Sequence, residues 1–247
     1  MDRWFQGGAF ILEDDLRKRY DDYPLSIPEA HYDDKIVTMN WALGFDRFKK
    51  SCDSVIKNYY TENSIHLLSN KLIKLNWPLT TPILGNTSMT ARELNATCQI
   101  QTELVGSTTD TIDDFYGAIG KGCAQLAVVG HVQRDKFSEL FIIEHVCLYL
   151  KDCYEFTDLI QFLGCWTKSK ALGKAEMLAH ASDAMSLDGT RILQVNEPVF
   201  HVFNHHFRQY REKHGKGGDF IVYSDVMWLP GDGFLPIRLD KEHGVRG

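Results

Sequence analysis

The densest group of ionisable side chains in this chain lies at residues 204–216, next to a glycine-rich turn. Three histidines, two arginines and two lysines fall there, and the glycine-rich residues 215–218 and an apolar segment with Asp219 and Asp225 follow. Arginine offers a planar fork of donors that suits phosphate or carboxylate, and successive glycine amides can bind an anion. Asp219 and Asp225 are the candidate bases or metal ligands. The block therefore predicts an anion-handling or catalytic site.

The same block also has a structural explanation. Basic side chains in the last turn of a helix complement its dipole, and glycines are needed wherever the chain turns sharply. Both explanations stay open for the glycines at 215–218 and for the charges beside them.

A second acidic group, Asp152 and Glu155, flanks an aromatic stretch at the end of a long apolar segment. A carboxylate held near apolar surface has a raised pKa and can act as a general acid or base. The alternative is an acidic turn that ends a strand. A third polar pair, Glu144 and His145, falls on opposite faces of the same predicted strand, and His131 on the partner strand is expected to face one of them in a structural pair.

The first two groups of residues, at 204–225 and at 152–155, are predicted to form one site. Arginine would hold an anionic group, a carboxylate would orient water or a metal, and histidine would transfer a proton. The predicted catalytic residues are Asp152, Glu155, His205, Arg208 and Asp225. The predicted substrate-binding residues are Arg211, His214 and Lys216.

Standard metal and cofactor motifs are missing from the sequence. It contains no Walker loop, no H-E-x-x-H, no G-x-S-x-G and no C-x-x-C pair. The pair His205 and His206 has no further ligand at i+4, so no metal site is predicted and the cofactor is left unassigned.

Hydrophobic periodicity predicts which elements position these residues. Helical spacing covers 46–60 and 64–75, the second capped by Asn63 or Ser64, and a late helix runs from Glu197-Pro198 to His214. Strands are predicted at 36–41, 98–105, 192–195 and 219–228, with a hairpin of 124–133 and 137–150 turning at Arg134-Asp135-Lys136. Residues 169–190 are predicted as a loop or a helix.

This order of elements predicts an α+β fold, with N-terminal helices followed by a mainly antiparallel sheet and one long late helix. A helical N-terminal region spans 1–92, and the sheet region with the candidate site spans 93–247.

Composition narrows the functional classes. The formal net charge of −6 over 247 residues gives no general attraction to nucleic acid or anionic membranes. No run approaches the ~20 apolar residues of a membrane span, and the N-terminus lacks the apolar run of a signal peptide. Six cysteines without a C-x-x-C pair are typical of free thiols in a reducing cytosol, and disulfides after export stay open.

Several blocks, in order, are similar to a bacterial family called domain of unknown function 6402. The resemblance covers nearly the whole chain. Its blocks are R-W-F at 3–5, D-D-K-I-V-T-M-N-W at 33–41, A-R-E-L-N-A-T-C-Q-I-Q at 91–101, D-D-F-Y-G-A-I-G at 113–120, residues 152–156, L-G-C-W at 163–166 and residues 207–226. Members usually have more sequence before the R-W-F block, which leaves open a shortened or internally started form.

The family resemblance implies a functional context and no catalytic residues. Members are often found beside type VI secretion spike components, which implies secreted toxins aimed at competing bacteria. A looser likeness to colicin M-type enzymes, which hydrolyse a lipid-linked peptidoglycan precursor, rests on Asp152, Tyr154 and Glu155. The His-Arg of those enzymes does not follow, and His205 and Arg208 are the candidates to replace it.

Two functions are therefore expected. The first is an antibacterial effector linked to type VI secretion, with hydrolytic activity on a phosphate-containing or cell-envelope substrate. It would be cytoplasmic in the producing cell and secreted into a target cell. The alternative is a non-catalytic adaptor or immunity protein. Expected partners are a secretion spike or adaptor protein, or a cognate immunity protein, without nucleic acid or a membrane span.

Overall fold

The computed structural model describes residues 2–107, 113–156, 161–185 and 197–239. Helices and strands both contribute, which confirms the α+β class. The helices are α1 (Asp2–Gln6), α2 (Asp14–Asp22), α3 (Met39–Ala42), α4 (Asp46–Lys57), α5 (Glu62–Ile73), α6 (Ala91–Thr97), α7 (Asp114–Ala118), α8 (Lys174–Met185) and α9 (Asn204–His214). The strands are β1 (Tyr32–Asp33), β2 (Ile83–Leu84), β3 (Gln99–Val105), β4 (Gly122–Arg134), β5 (Glu139–Tyr154), β6 (Phe162–Trp166), β7 (Phe200–Phe203), β8 (Phe220–Tyr223), β9 (Met227–Pro230) and β10 (Ile237–Arg238).

The chain divides into two compact units, each assembled from separate stretches of sequence. The first unit comprises Met1–Leu12, Ser107–Gly120 and Tyr154–Asp219. The second unit comprises Glu13–Gly106, Lys121–Cys153 and Phe220–Gly247. The regions 1–92 and 93–247 were predicted from element content, and that division stays a prediction.

The second unit is built on a long antiparallel hairpin of β4 and β5. Their register runs from Cys123 opposite Lys151 to Arg134 opposite Glu139, which confirms the predicted hairpin. Arg134, predicted in the turn, is the last paired residue of β4, and the turn spans residues 135–138. The sheet path is β1-β8-β5-β4-β2, with β3 also on β4 and with β9 and β10 also on β5. β1 pairs with β8 in parallel, β2 and β3 pair antiparallel with β4, and β4, β9 and β10 pair antiparallel with β5. An irregularity precedes Gly130, where a Cβ atom would lie 1.9 Å from the Ile142 carbonyl oxygen.

Three helices of the second unit, α3, α5 and α6, begin at threonine caps and bury apolar side chains. The Thr61 side chain accepts a hydrogen bond from the Ser64 amide at the start of α5, so the cap precedes the predicted Asn63 or Ser64. The strand predicted at 36–41 is wrong, because Thr38 caps α3 and the chain turns helical at Met39. None of the described helices is long and apolar enough to cross a membrane.

The first unit contains the two-stranded antiparallel ribbon β6–β7 and the helix α9. The helix predicted from Glu197 starts later than expected, because residues 200–203 pair with β6 and extend the chain as β7. Residues 174–185 form α8, which resolves the loop-or-helix alternative there. The strand predicted at 192–195 lies outside the described residues. The strand predicted at 219–228 is two short strands of the second unit, β8 and β9.

Candidate functional site

The C-terminal half of α9 holds a buried ion pair. Arg211 Nη1 lies 3.1 Å from Asp219 Oδ1, and the two residues are only 5% and 2% exposed. Arg211 also donates to the Phe10 carbonyl oxygen at 3.0 Å. Asp219 accepts from the Leu12 amide at 2.9 Å and from the Phe156 amide at 3.3 Å. Two backbone segments are thereby fixed to α9, so these charges hold the unit together.

This geometry changes the interpretation of Arg211 and Asp219. A buried charge is tolerated when it is paired and hydrogen-bonded, and both partners here meet that condition. Arg211 Nη1 is already engaged with two protein oxygens, which supports a structural role for this side chain, and its predicted substrate-binding role stays a prediction. The same applies to Asp219, which was a candidate base or metal ligand.

The glycine-rich turn after α9 is also structural. Gly215 adopts φ 59° as the C-terminal cap and donates to the Arg211 carbonyl. Gly217, at φ 83°, donates to the Gly7 carbonyl, and a Cβ atom there would lie 2.9 Å from Phe207 Cζ. These amides are thus occupied, and the structural alternative for the glycines is favoured over the anion nest.

His214 and Lys216, both predicted to bind substrate, are exposed beside this turn. The His214 ring packs against Tyr210 with centroids 4.5 Å apart. The Lys216 backbone forms an isolated antiparallel bridge with Gly8. Neither contact engages the Lys216 ammonium, and substrate binding by the two side chains stays a prediction.

The N-terminal half of α9 carries the groups that are best placed for chemistry. The rings of His205 and His206 lie 3.8 Å apart between centroids, and His206 Nδ1 accepts a hydrogen bond of 3.1 Å from the Phe203 amide. That bond places the lone pair of a neutral imidazole on Nδ1. Partial burial, and then the neighbouring His205, lower the pKa of His206. His206 therefore favours its neutral form near neutral pH.

Arg208 lies one turn further along α9 and is half-buried. Its Nη1 donates to the Phe156 carbonyl oxygen at 2.7 Å, which brings the guanidinium to the segment that carries Glu155. Glu155 itself is half-buried. The structure thus brings three of the predicted catalytic residues, Glu155, His205 and Arg208, into one unit and onto two adjoining segments.

Aromatic side chains pack between α9 and the segment that carries Glu155. Phe207 on α9 contacts Phe156 with ring centroids 4.0 Å apart, and Trp4 packs against both rings at 5.2 and 6.3 Å. Tyr154 also faces Trp4, at 5.8 Å. Buried aromatic side chains contribute large apolar areas, so this cluster holds α9 and residues 154–156 in register.

Two further histidines, His201 and His180, belong to the ring contacts that lead to His205, and the sequence analysis missed them. His201 on β7 lies 6.2 Å from the ring of His180 on α8 and 6.1 Å from Phe162 on β6. Phe162 contacts Phe203, which in turn stacks on His205 at 5.9 Å. The only available signal was the alternation of residues 200–203, which places His201 and Phe203 on one face of a strand.

Asp152 and Asp225, the other predicted catalytic residues, belong to the second unit. Asp152 is buried, and its Oδ1 accepts from the Cys153 amide at 2.7 Å. Asp225 Oδ1 accepts from the Met39 amide at 2.5 Å, which stabilises the start of α3. Their predicted union with α9 in a single site stays a prediction.

The predicted pairing of His131 is present in the second unit. His131 Nδ1 and Glu144 Oε1 lie 2.8 Å apart across the hairpin, with both side chains well exposed. Within the described residues, no group of three or more histidine, cysteine or acidic side chains is arranged to hold a metal ion.

Comparison with known proteins identifies a family and no annotated relative. The model of a family of unknown function, DUF6402, matches residues 1–238, so the chain belongs to that family. No curated protein and no solved structure matches the chain.

Proposed function

We propose that this member of the DUF6402 family is an antibacterial effector linked to type VI secretion, with hydrolytic activity on a phosphate-containing or cell-envelope substrate. It would be cytoplasmic in the producing cell and act after delivery into a target cell. Its partners would be a secretion spike or adaptor protein and a cognate immunity protein.

One observation carries the chemical part of this proposal. The paired imidazoles of His205 and His206 lie on the same helix as Arg208, one turn away, and the ring of His206 is oriented by a backbone hydrogen bond. The imidazole of His205, which packs against that oriented ring, can accept a proton, and an adjacent guanidinium binds an oxyanion. General acid–base groups of this kind contribute about 10²- to 10⁴-fold to a rate.

We assign the roles as follows. His205 transfers the proton, Arg208 holds the anionic group of the substrate, and Glu155 orients the attacking water. His214 and Lys216 are proposed as peripheral binding residues. Catalytic roles for Asp152 and Asp225 remain predictions, and Arg211 acts by holding α9 in place.

The test is growth of a bacterial host that expresses the chain in its cytoplasm or, with an added export signal, in its periplasm. We expect toxicity in one compartment, and we expect His205→Ala and Arg208→Ala to relieve it. Lys213→Ala is the matched control, because it removes an exposed charge from the same helix without touching the paired histidines. Toxicity that persists undiminished in both variants would remove this site.

A second candidate function is a non-catalytic adaptor or immunity protein. It is favoured by two strongly exposed apolar side chains of the second unit, Phe137 at 92% and Leu79 at 87%. Asp135 accepts hydrogen bonds from the amides of Phe137 and Ser138, which fixes the tip of the hairpin and presents the Phe137 ring. Exposed anchors of this kind suit a protein interface. Absence of toxicity in both compartments, together with co-purification with a spike protein that Phe137→Ala abolishes, would favour this function.

A further inference from the structure

One face of the sheet in the second unit gathers polar side chains that the proposed function does not use. Alternation along β5 puts Tyr149 and Lys151 on the same face. The backbone and side chain of Ser224 bond to Leu150 at 3.0 and 2.9 Å, which places the preceding Tyr223 beside this part of β5. Burial, and then the neighbouring Tyr223, raise the pKa of Tyr149, as expected for phenols that share a face.

Among the described residues, Lys151 has one carboxylate partner at this face. Its Nζ lies 2.6 Å from Asp21 Oδ1 on α2, with the lysine side chain 15% exposed and the aspartate side chain 51% exposed. An ammonium has three donors, so this pair leaves donor capacity on the lysine. Because Asp21 is half in solvent, it can leave the ammonium at little cost in desolvation.

Arg92 supplies a second cation from α6. Its guanidinium lies over the Tyr32 ring, 4.4 Å from the centroid, and Tyr32 is paired with Ile221 of β8. Its described hydrogen bonds are two long contacts of 3.5 Å from Nη1 to the carbonyls of Pro24 and Leu25. A guanidinium carries five N–H donors, so most of them are unused by the described residues.

Tyr223 adds a buried hydroxyl. Its side chain is fully buried, and its Oη has no hydrogen-bond partner among the described residues. Ile221 and Tyr223 alternate onto the same face of β8, which places Tyr223 on the side of the sheet that carries the Tyr32–Arg92 contact. Burial raises the pKa of this phenol, Asp21 raises it further and Arg92 lowers it. The phenol therefore stays protonated at neutral pH and is available as a donor. A buried hydroxyl without a partner is costly, so this donor favours a ligand that brings an acceptor.

We propose that Arg92, Lys151 and Tyr223 form a binding site for a small oxyanion, a phosphate or carboxylate group, with Asp21 as its internal competitor. The site offers two cations and one neutral donor against one displaceable carboxylate. An oxyanion accepts hydrogen bonds from all three types of donor, whereas a cation or an apolar ligand would leave them unsatisfied. The proposal concerns the second unit and is independent of the proposed function.

The experiment is an NMR titration of the whole chain with inorganic phosphate and, separately, with acetate at constant ionic strength. We expect saturable shifts of the amides around Arg92 and Lys151. We expect Asp21→Asn to tighten binding about tenfold, because removal of a competitor that holds the site nine-tenths of the time has that effect. The stronger of the two probes identifies the ligand class.

Two further variants test the proposed donors, and a third is a control. Lys151→Met and Tyr223→Phe should weaken binding, and Tyr223→Phe preserves the packing of the ring if the lysine variant fails to fold. Asp46→Asn is the control, since Asp46 forms an exposed pair with Lys49 at 3.6 Å on another helix. The proposal is overturned if Asp21→Asn binds neither anion, or if Asp46→Asn tightens binding as much as Asp21→Asn does.

Discussion

The two halves of α9 carry similar side chains in opposite surroundings. In the C-terminal half, Arg211 is enclosed and bound to Asp219 and to the Phe10 carbonyl. In the N-terminal half, Arg208 is half-buried beside the imidazoles of His205 and His206. A buried charge that is fully paired contributes to holding a structure, whereas a charge at a partly open surface can still meet a ligand. In the proposed function, the C-terminal half of α9 therefore supports the fold and the N-terminal half supplies the chemistry.

The largest expected effect on stability comes from removing the buried ion pair in the C-terminal half of α9. Arg211→Ala leaves the Asp219 carboxylate buried without its cation, and we expect a loss of about 3–5 kcal/mol in the free energy of unfolding. Urea denaturation measures it. The matched control is Lys49→Ala, which breaks the exposed pair with Asp46 and should cost less than about 1 kcal/mol. Similar losses of unfolding free energy in the two variants would show that the buried pair of Arg211 supports the fold no more than an exposed pair does.

A smaller effect is expected at the turn that follows the buried half. Gly217→Ala places a Cβ atom 2.9 Å from Phe207 Cζ and 3.1 Å from the Trp4 carbonyl, at a φ of 83° that side chains rarely adopt. We expect a loss of about 1–3 kcal/mol by the same urea measurement. Gly8→Ala is the control, because nothing lies within 4 Å of its added Cβ. An unchanged stability for Gly217→Ala would show that the turn is free to relax.

The smallest effect concerns pH and the open half. The pKa of His206 is lowered in the folded protein, chiefly by burial and then by His205. Its stabilising contribution is therefore complete above the pKa of about 6.5 expected for an unfolded histidine, and it is lost as the pH falls through the folded value. Protonation also removes the Nδ1 acceptor of the Phe203 amide. We expect a fraction of 1 kcal/mol, since the side chain is mostly exposed.

Urea denaturation between pH 7.5 and 5 checks this dependence. We expect His206→Gln to flatten it, while His66→Gln, on the exposed face of α5 and bonded to Asn70, serves as the control. An identical pH dependence in the wild type and in His206→Gln would contradict the assignment.

The sequence predicted those elements that depend on the apolar pattern of neighbouring residues alone. The β4–β5 hairpin follows from apolar residues and one short turn, and α4 follows from helical spacing that buries Phe48, Cys52 and Val55. The predicted start of α9 was wrong. Pro198 suggests the first turn of a helix, whereas residues 200–203 form a strand because they pair with β6. Pairing with a distant partner overrides local preference.

The candidate site was predictable in part for the same reason. Residue type alone placed His205 and Arg208 in a chemical cluster. The enclosure of Arg211 depends on Phe10, which lies 201 residues earlier in the chain, and no local pattern encodes that contact. His201 and His180 come together through tertiary packing of β7 and α8, and their spacing in the sequence carries no signal.

The bond between the Leu12 amide and Asp219 joins positions 207 residues apart. During synthesis, residues 7–12 must therefore wait until residue 219 has been made before they find all their partners on α9 and the turn beyond it. Contacts of such long sequence separation slow folding, because a large loop has to close before the contact can form. We expect nascent chains that stop before residue 219 to keep this N-terminal segment accessible to proteases, and its protection to appear only when synthesis passes Asp219.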